Sequence, residues 1–114
     1  MAYALSVNSK YEFEEMGTDL AEMQAVVGGL IQPVDLSETL TMWVNEEYVF
    51  MPHLELNPLA SAFFQIMAGA DYPIYGNVIF TGGTDEDGNL LDLSTEDAIR
   101  IKTTASMAYG QWIA

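Results

Sequence analysis

The stretch Asn77-Val78-Ile79-Phe80-Thr81 is a short apolar run bounded on both sides by turn residues. A run of this length, rich in β-branched and aromatic residues, is typical of a buried strand. We therefore expect it to form a central strand of a sheet, with the rest of the chain arranged around it.

Further strands are predicted before this run, at residues 3–7, 30–36 and 40–44. Pro33 lacks a backbone donor, so the strand at 30–36 should lie at an edge or carry a bulge. Tyr48-Val49-Phe50 should form a further strand that pairs back after a turn at 45–47. The strands at 30–36, 40–44 and 48–50 would then form a meander. Residues 9–15 alternate aromatic and polar side chains, and they either continue the first strand or form an acidic connector.

Three helices are predicted. Thr18 offers an N-cap for a helix at 18–27, which the glycines at 28 and 29 should end. Asn57-Pro58 begins a second helix, apolar on nearly every side, which should be buried on most sides or cover a face against another subunit. A third helix should run from about residue 94 to 108. The fold class is α+β, with a mainly antiparallel sheet of four to six strands.

Composition limits the function. The 114 residues fit one acidic domain, and 17 acidic residues face only Lys10, Arg100 and Lys102, which gives a formal net charge of −14. Such a surface should repel nucleic acid and anionic membrane and attract basic proteins, or it simply keeps the chain soluble. No leader or membrane segment is expected, and the absence of cysteine agrees with a cytoplasmic protein.

Catalytic and cofactor sites are not predicted. His53 is the only histidine, no cysteine can assist it in binding zinc, and Ser61 lies in an apolar helix without a nucleophile motif. Neither glycine pair belongs to a phosphate-binding loop. Residues 85–96 resemble a calcium loop, but Leu90 stands where a glycine is needed, so we interpret them as an acidic turn followed by a helix cap. We predict no enzymatic activity, no metal and no cofactor.

Two sets of residues are candidates for contacts with a partner. The acidic set forms one negative patch only if the turns near residues 46 and 86 share an edge; otherwise the acids are scattered. It comprises Glu12, Glu14, Glu15, Glu46, Glu47, Asp85, Glu86 and Asp87. The apolar set exceeds what a small core needs and suggests a homodimer. It comprises Phe63, Phe64, Met67 and Trp112.

Five segments, in this order, resemble a family of small uncharacterised phage and plasmid proteins known only as a domain of unknown function. They are 26–31 (VVGGLI), 44–47 (VNEE), 57–58 (NP), 76–79 (GNVI) and 85–88 (DEDG) running to Leu93-Ser94, and the likeness spans residues 18 to about 98. Tyr48 departs from the family's glycine, and the helix around Phe63 is more apolar than the resemblance leads us to expect. The resemblance implies an accessory protein of a phage or mobile element, acting in the host cytoplasm, and brings no catalytic residues.

The sequence thus favours a phage-encoded acidic protein that binds and inhibits a host protein, in the manner of a nucleic-acid mimic docking on a basic cleft. The expected partner is a host protein with a basic surface, such as a nucleic-acid-binding enzyme. Direct binding to nucleic acid or membrane is not expected. The alternative is a self-associating structural protein or a domain that sequesters a small ligand, again without catalysis.

Overall fold

The computed structural model describes residues 3–47, 51, 53–69 and 72–113, with side chains described as far as residue 107. The elements in chain order are β1 (Ala4–Val7), β2 (Phe13–Met16), α1 (Leu20–Val27), β3 (Ile31–Ser37), β4 (Leu40–Asn45), α2 (Pro58–Ala68), β5 (Val78–Thr81) and α3 (Thr95–Ile113). Three helices and a mainly antiparallel sheet confirm the predicted α+β class.

The strands of the described part form one antiparallel sheet in the order β2-β1-β5-β4-β3. β5, which contains Phe80, lies at the centre. There Phe80 pairs with Leu5 of β1 on one side and with Met42 of β4 on the other. All four residues of β5 are buried, as a strand covered on both faces requires. The prediction of a central strand is therefore confirmed.

The edges of the sheet differ in part from expectation. β3 is an edge strand that contains Pro33, and its register shifts between Asp35 and Ser37, as the proline predicted. β4 has β5 rather than the next segment of chain as its second neighbour, so the predicted meander is wrong in its order. Tyr48-Val49-Phe50 lie outside the described residues. Residues 9–15 do not continue the first strand; they turn and return as β2, antiparallel to β1.

Alternation along the strands produces two apolar faces. Leu5, Met42 and Phe80 face α2 and α3, and they belong to the larger core cluster. The ring of Phe63 in α2 meets that of Phe80 edge to face, with centroids 5.6 Å apart, a geometry worth about 0.5–1.5 kcal/mol. Ile79 points to the other face, where Met23 of α1 covers it. The sheet is therefore enclosed between α1 on one side and α2 and α3 on the other.

The three helices differ from expectation in the N-cap of α1, the burial of α2 and the end of α3. Asp19 rather than Thr18 caps α1, and its carboxylate accepts a hydrogen bond from the backbone N–H of Glu22. α2 buries one face instead of most of its sides, since Ile66 is 67% exposed. α3 runs beyond the predicted end at 108, because Gly110 weakens a helix without stopping it.

Asn57 joins α2 to the sheet. Its side chain is fully buried, and its carbonyl oxygen accepts from the N–H of Ala60, which confirms the predicted N-cap. Its amide nitrogen donates to the carbonyl oxygens of Val7, at 3.1 Å, and Gly76, at 2.9 Å. One side chain therefore ties the end of β1, the segment before β5 and the start of α2 together.

We expect Asn57→Asp to lower the free energy of unfolding by about 2–4 kcal/mol, and at least as much as Asn57→Ala. Aspartate can still cap the helix, but its carboxylate cannot donate to the two buried carbonyl oxygens. Urea denaturation followed by circular dichroism measures the change.

The matched control is Asn77→Ala. Asn77 is exposed and makes one side-chain bond, to the carbonyl oxygen of Val26, so the expected loss is only about 1 kcal/mol. If Asn57→Asp were as mild as this control, Asn57 would act only as a helix cap.

Candidate functional site

The acidic candidates do not form a single patch. Because β4 and β5 are antiparallel neighbours, the chain leaves them from opposite ends of the sheet. Glu46 and Glu47 follow β4 at one end, whereas Asp85, Glu86 and Asp87 follow β5 at the other. The arrangement in which both turns share an edge is therefore excluded.

The acids of β2 are also divided. Glu14 pairs with Ser6 and Glu15 with Leu5, so the two carboxylates project from opposite faces of the edge strand. The hydroxyl of Tyr3 donates to Glu15 at 3.4 Å. Burial raises the pKa of Tyr3, and the charge of Glu15 and this hydrogen bond raise it further. Glu12 precedes β2 at the end of the sheet where Glu46 and Glu47 lie.

The glycine pair after β5 assembles a different group of acids. Gly82 and Gly83 are buried, although a glycine pair before an acidic turn is typical of an exposed loop. A Cβ atom on Gly82 would collide with the backbone oxygen of Asp92, and one on Gly83 with that of Glu38. Only glycine allows these backbones to approach so closely. The β3–β4 turn, the loop after β5 and the segment before α3 therefore meet at one end of the sheet.

We call this region the acidic end. It exposes six carboxylates from three separate segments: Asp35, Glu38, Asp85, Glu86, Asp87 and Asp92. A shallow cavity of about 360 Å³ runs between Asp35, Glu38 and Thr84. Three of these acids, at positions 35, 38 and 92, are missing from the sequence-based set. The glycine pair was the signal for them, because adjacent glycines in an apolar context often mark a close approach of backbones.

The loop after β5 is organised by its own hydrogen bonds. Asp85 accepts from the backbone N–H of Asn89 at 2.8 Å and from that of Asp87 at 2.9 Å. The N–H of Asn89 is the main cause that holds the pKa of Asp85 below its ordinary value, and its side-chain amide and the N–H groups of Asp87 and Gly88 add to it. Among the described residues, no three acidic or histidine side chains converge as a metal site would require.

His53 lies beside another cavity, of about 400 Å³, together with Ser9 and Glu55. The hydroxyl of Ser9 donates to Glu55 at 2.9 Å, so serine is paired with the carboxylate and not with the imidazole. A nucleophilic triad needs the histidine between the other two groups. The three residue types meet here, but their hydrogen bonding is not that of an activated serine.

The apolar candidates separate into core and surface. Phe63 is 1% exposed and belongs to the core, so it cannot contact a second subunit. Phe64 and Met67 are partly buried and pack against the core from its rim. The side chain of Trp112 lies outside the described residues. Ile66, which was absent from the set, is the strongly exposed apolar residue of α2.

The described part of the chain contains no helix long and apolar enough to cross a membrane.

The chain belongs to the family described as Domain of unknown function (DUF3846), whose model matches residues 2–106. This range is wider than the likeness at residues 18–98 and includes the acidic end, β1 and most of α3. No curated protein matches the chain. No solved structure matches it either.

The carboxyl carbon of Asp85, followed by NMR over an acid titration, should titrate below the ordinary aspartate pKa of about 3.9. Because the pKa of Asp85 is lowered in the folded state, its ionised carboxylate stabilises the protein at any pH above the pKa of the unfolded chain. This contribution to the free energy of unfolding is lost as the pH falls through the folded-state pKa. Asp85→Ala should therefore reduce the change in unfolding free energy between neutral and acid pH, while Glu86→Ala should not. A midpoint at or above the ordinary pKa contradicts this account of the loop.

Proposed function

We propose that this protein is an acidic accessory protein, encoded by a phage or another mobile element, that acts in the host cytoplasm by binding and inhibiting a host protein. The observation that carries the proposal is the acidic end, where six exposed carboxylates from three segments lie together in a chain of net charge −14. Their mutual repulsion is relieved when a basic surface docks against them. The proposed activity is binding without catalysis.

The partner best suited to this surface is a protein with a basic cleft, such as a nucleic-acid-binding enzyme. Such a cleft attracts a row of phosphates through lysine and arginine, and carboxylates on neighbouring turns present the same sign of charge. The acidic end would then compete with nucleic acid for the cleft. Attraction between exposed charges weakens as salt screens it, so the complex should dissociate at high ionic strength.

Capture of partners from a host lysate tests the proposal, with tagged protein, low and high salt, and identification by mass spectrometry. The variant Glu38→Gln/Glu86→Gln/Asp87→Asn removes three charges from the acidic end and leaves the structural Asp85 intact. We expect it to weaken the captured complex by about tenfold or more, equivalent to about 1.4 kcal/mol.

The matched control is Glu14→Gln/Glu46→Gln/Glu47→Gln, which removes three charges away from the acidic end. It should retain the partner, because its substitutions lie outside the docking surface. Equal losses in both variants would show that only net charge matters. Loss in the control alone would place the contact elsewhere, and both results contradict the proposal.

Self-association through α2 is a second candidate, favoured by a specific observation. Ile66 is 67% exposed, and nearby Tyr72 is 50% exposed, with its ring 6.4 Å from that of Phe64. An apolar rim of this kind is typical of a homodimer surface. The assembly would leave the acidic end free.

Sedimentation velocity should give a dimer mass for the natural chain and a monomer mass for Ile66→Asp, because a buried unpaired carboxylate opposes association. Leu20→Asp is the control, since Leu20 is 57% exposed on α1, across the sheet from α2. A monomer mass for the natural chain at high protein concentration rules this candidate out.

A further inference from the structure

Two of the chain's three basic residues lie beside one cavity. The cavity has a volume of about 280 Å³ and lies between the turn before β2 and the middle of α3. Its lining residues are Lys10, Tyr11, Phe13, Lys102, Ala105 and Ser106. Lys10 and Lys102 are far apart in the sequence, so only the packing of α3 against β2 brings them together.

Neither lysine forms an ion pair with another of the described residues. Arg100 has both ion pairs found there, with Glu96 at 3.8 Å and Asp97 at 3.6 Å. In a chain with 17 acidic residues, one expects a lysine to find a carboxylate. Both lysines are exposed, line the same cavity and have no ion pair with any described residue, which leaves them available to a ligand of opposite charge.

The turn that carries Lys10 is held rigidly. The side-chain oxygen of Asn8 accepts from the backbone N–H groups of Lys10, at 2.9 Å, and Glu12, at 3.0 Å. The Asn8 amide in turn donates to the carboxylate of Glu12 at 2.9 Å. Glu12 does not line the cavity beside the two lysines, which we call the lysine cavity. It lines a separate cavity together with Ser6 and Asn77. The nearest acid in the sequence is thus engaged away from the two ammonium groups.

The lining of the lysine cavity combines polar groups with the aromatic residues Tyr11 and Phe13. Tyr11 has a left-handed backbone conformation, with φ at 61°, which bulky residues rarely adopt. Phe13 packs against the main core beside it, and Ala105 closes the floor with an exposed fraction of 4%. Aromatic side chains favour stacked or edge contacts with other rings, so Tyr11 and Phe13 suit a ligand with a planar ring.

We propose that this cavity binds a mononucleotide, with the base against Tyr11 and Phe13 and the phosphate between Lys10 and Lys102. A phosphate monoester carries close to two negative charges at neutral pH, which matches two ammonium groups better than a single carboxylate does. Lysine is an effective phosphate binder as a point charge. The cavity volume of about 280 Å³ lies just below the roughly 300–1,000 Å³ of typical ligand pockets, so the cavity holds at most one nucleotide.

This proposal is independent of the acidic end, which lies with the loop after β5. The overall negative charge repels an approaching anion at long range, so binding depends on contacts inside the cavity. Both the ring and the phosphate must contribute, and the affinity for a whole nucleotide should exceed that for either fragment.

Isothermal titration calorimetry of the full chain tests this with AMP, GMP, CMP and UMP as probes. Adenosine supplies a ring without phosphate, and ribose 5-phosphate and inorganic phosphate supply the anion without a ring. We expect at least one nucleotide to bind about tenfold more tightly than every fragment. In an NMR titration with that nucleotide, the backbone amides of Tyr11 and Ala105 should shift.

Lys10→Gln and Lys102→Gln should each weaken nucleotide binding by about fivefold to tenfold. Arg100→Gln is the matched control: it removes the same charge, lies two residues from Lys102 on α3 and projects from another side of the helix. It should change the affinity by less than about twofold. All three positions are exposed, so the variants should keep the circular dichroism spectrum of the natural chain.

Three results would overturn the proposal. One is the absence of binding by all four nucleotides at millimolar concentration. Another is inorganic phosphate binding as tightly as the nucleotides, which would leave the aromatic walls without a role. The third is an equal loss of affinity in Arg100→Gln and Lys102→Gln, which would reduce the effect to net charge.

Discussion

The fold depends on one buried amide. Asn57 lies where β1 ends, where the chain enters β5 and where α2 begins, and its side chain bonds to all three. Leaving a buried carbonyl oxygen without a donor costs about 1–3 kcal/mol, so separating these segments would lower the stability of the fold. With the start of α2 fixed in this way, Phe63 one turn and a half later reaches Phe80 in the central strand. The larger core is therefore positioned by a polar contact and completed by an aromatic one.

Two more asparagines in the family's segments have related roles. Asn45 donates to the carbonyl oxygen of Val27, at 3.1 Å, and Asn77 donates to that of Val26, at 2.9 Å. Both bonds satisfy carbonyl groups in the last turn of α1, which lack partners within the helix. Asparagines in three of the segments that carry the resemblance thus hold helices to the sheet.

Charge is distributed unevenly over this frame. The acidic end gathers carboxylates from three segments because the backbones at Gly82 and Gly83 approach their neighbours closely. The two lysines lie apart from it, beside a cavity lined by Tyr11 and Phe13. A protein with a large net charge of one sign therefore presents two surfaces of different character. We propose a basic macromolecule as the partner of the first surface and a small anion with a planar ring as the ligand of the second.

Local signals in the sequence were sufficient to predict several elements. β5 was recognisable from its apolar run, α2 from Asn57-Pro58, and the edge position of β3 from Pro33, because each depends on burial, capping or a missing donor within a few residues. Contacts between distant residues depend on how the elements pack in three dimensions. This packing separated Glu46 from Glu86 by the antiparallel course of β4 and β5, buried Phe63 and brought Lys10 to Lys102. Strand order and helix packing are set by the total energy of the core, and no local pattern encodes that sum.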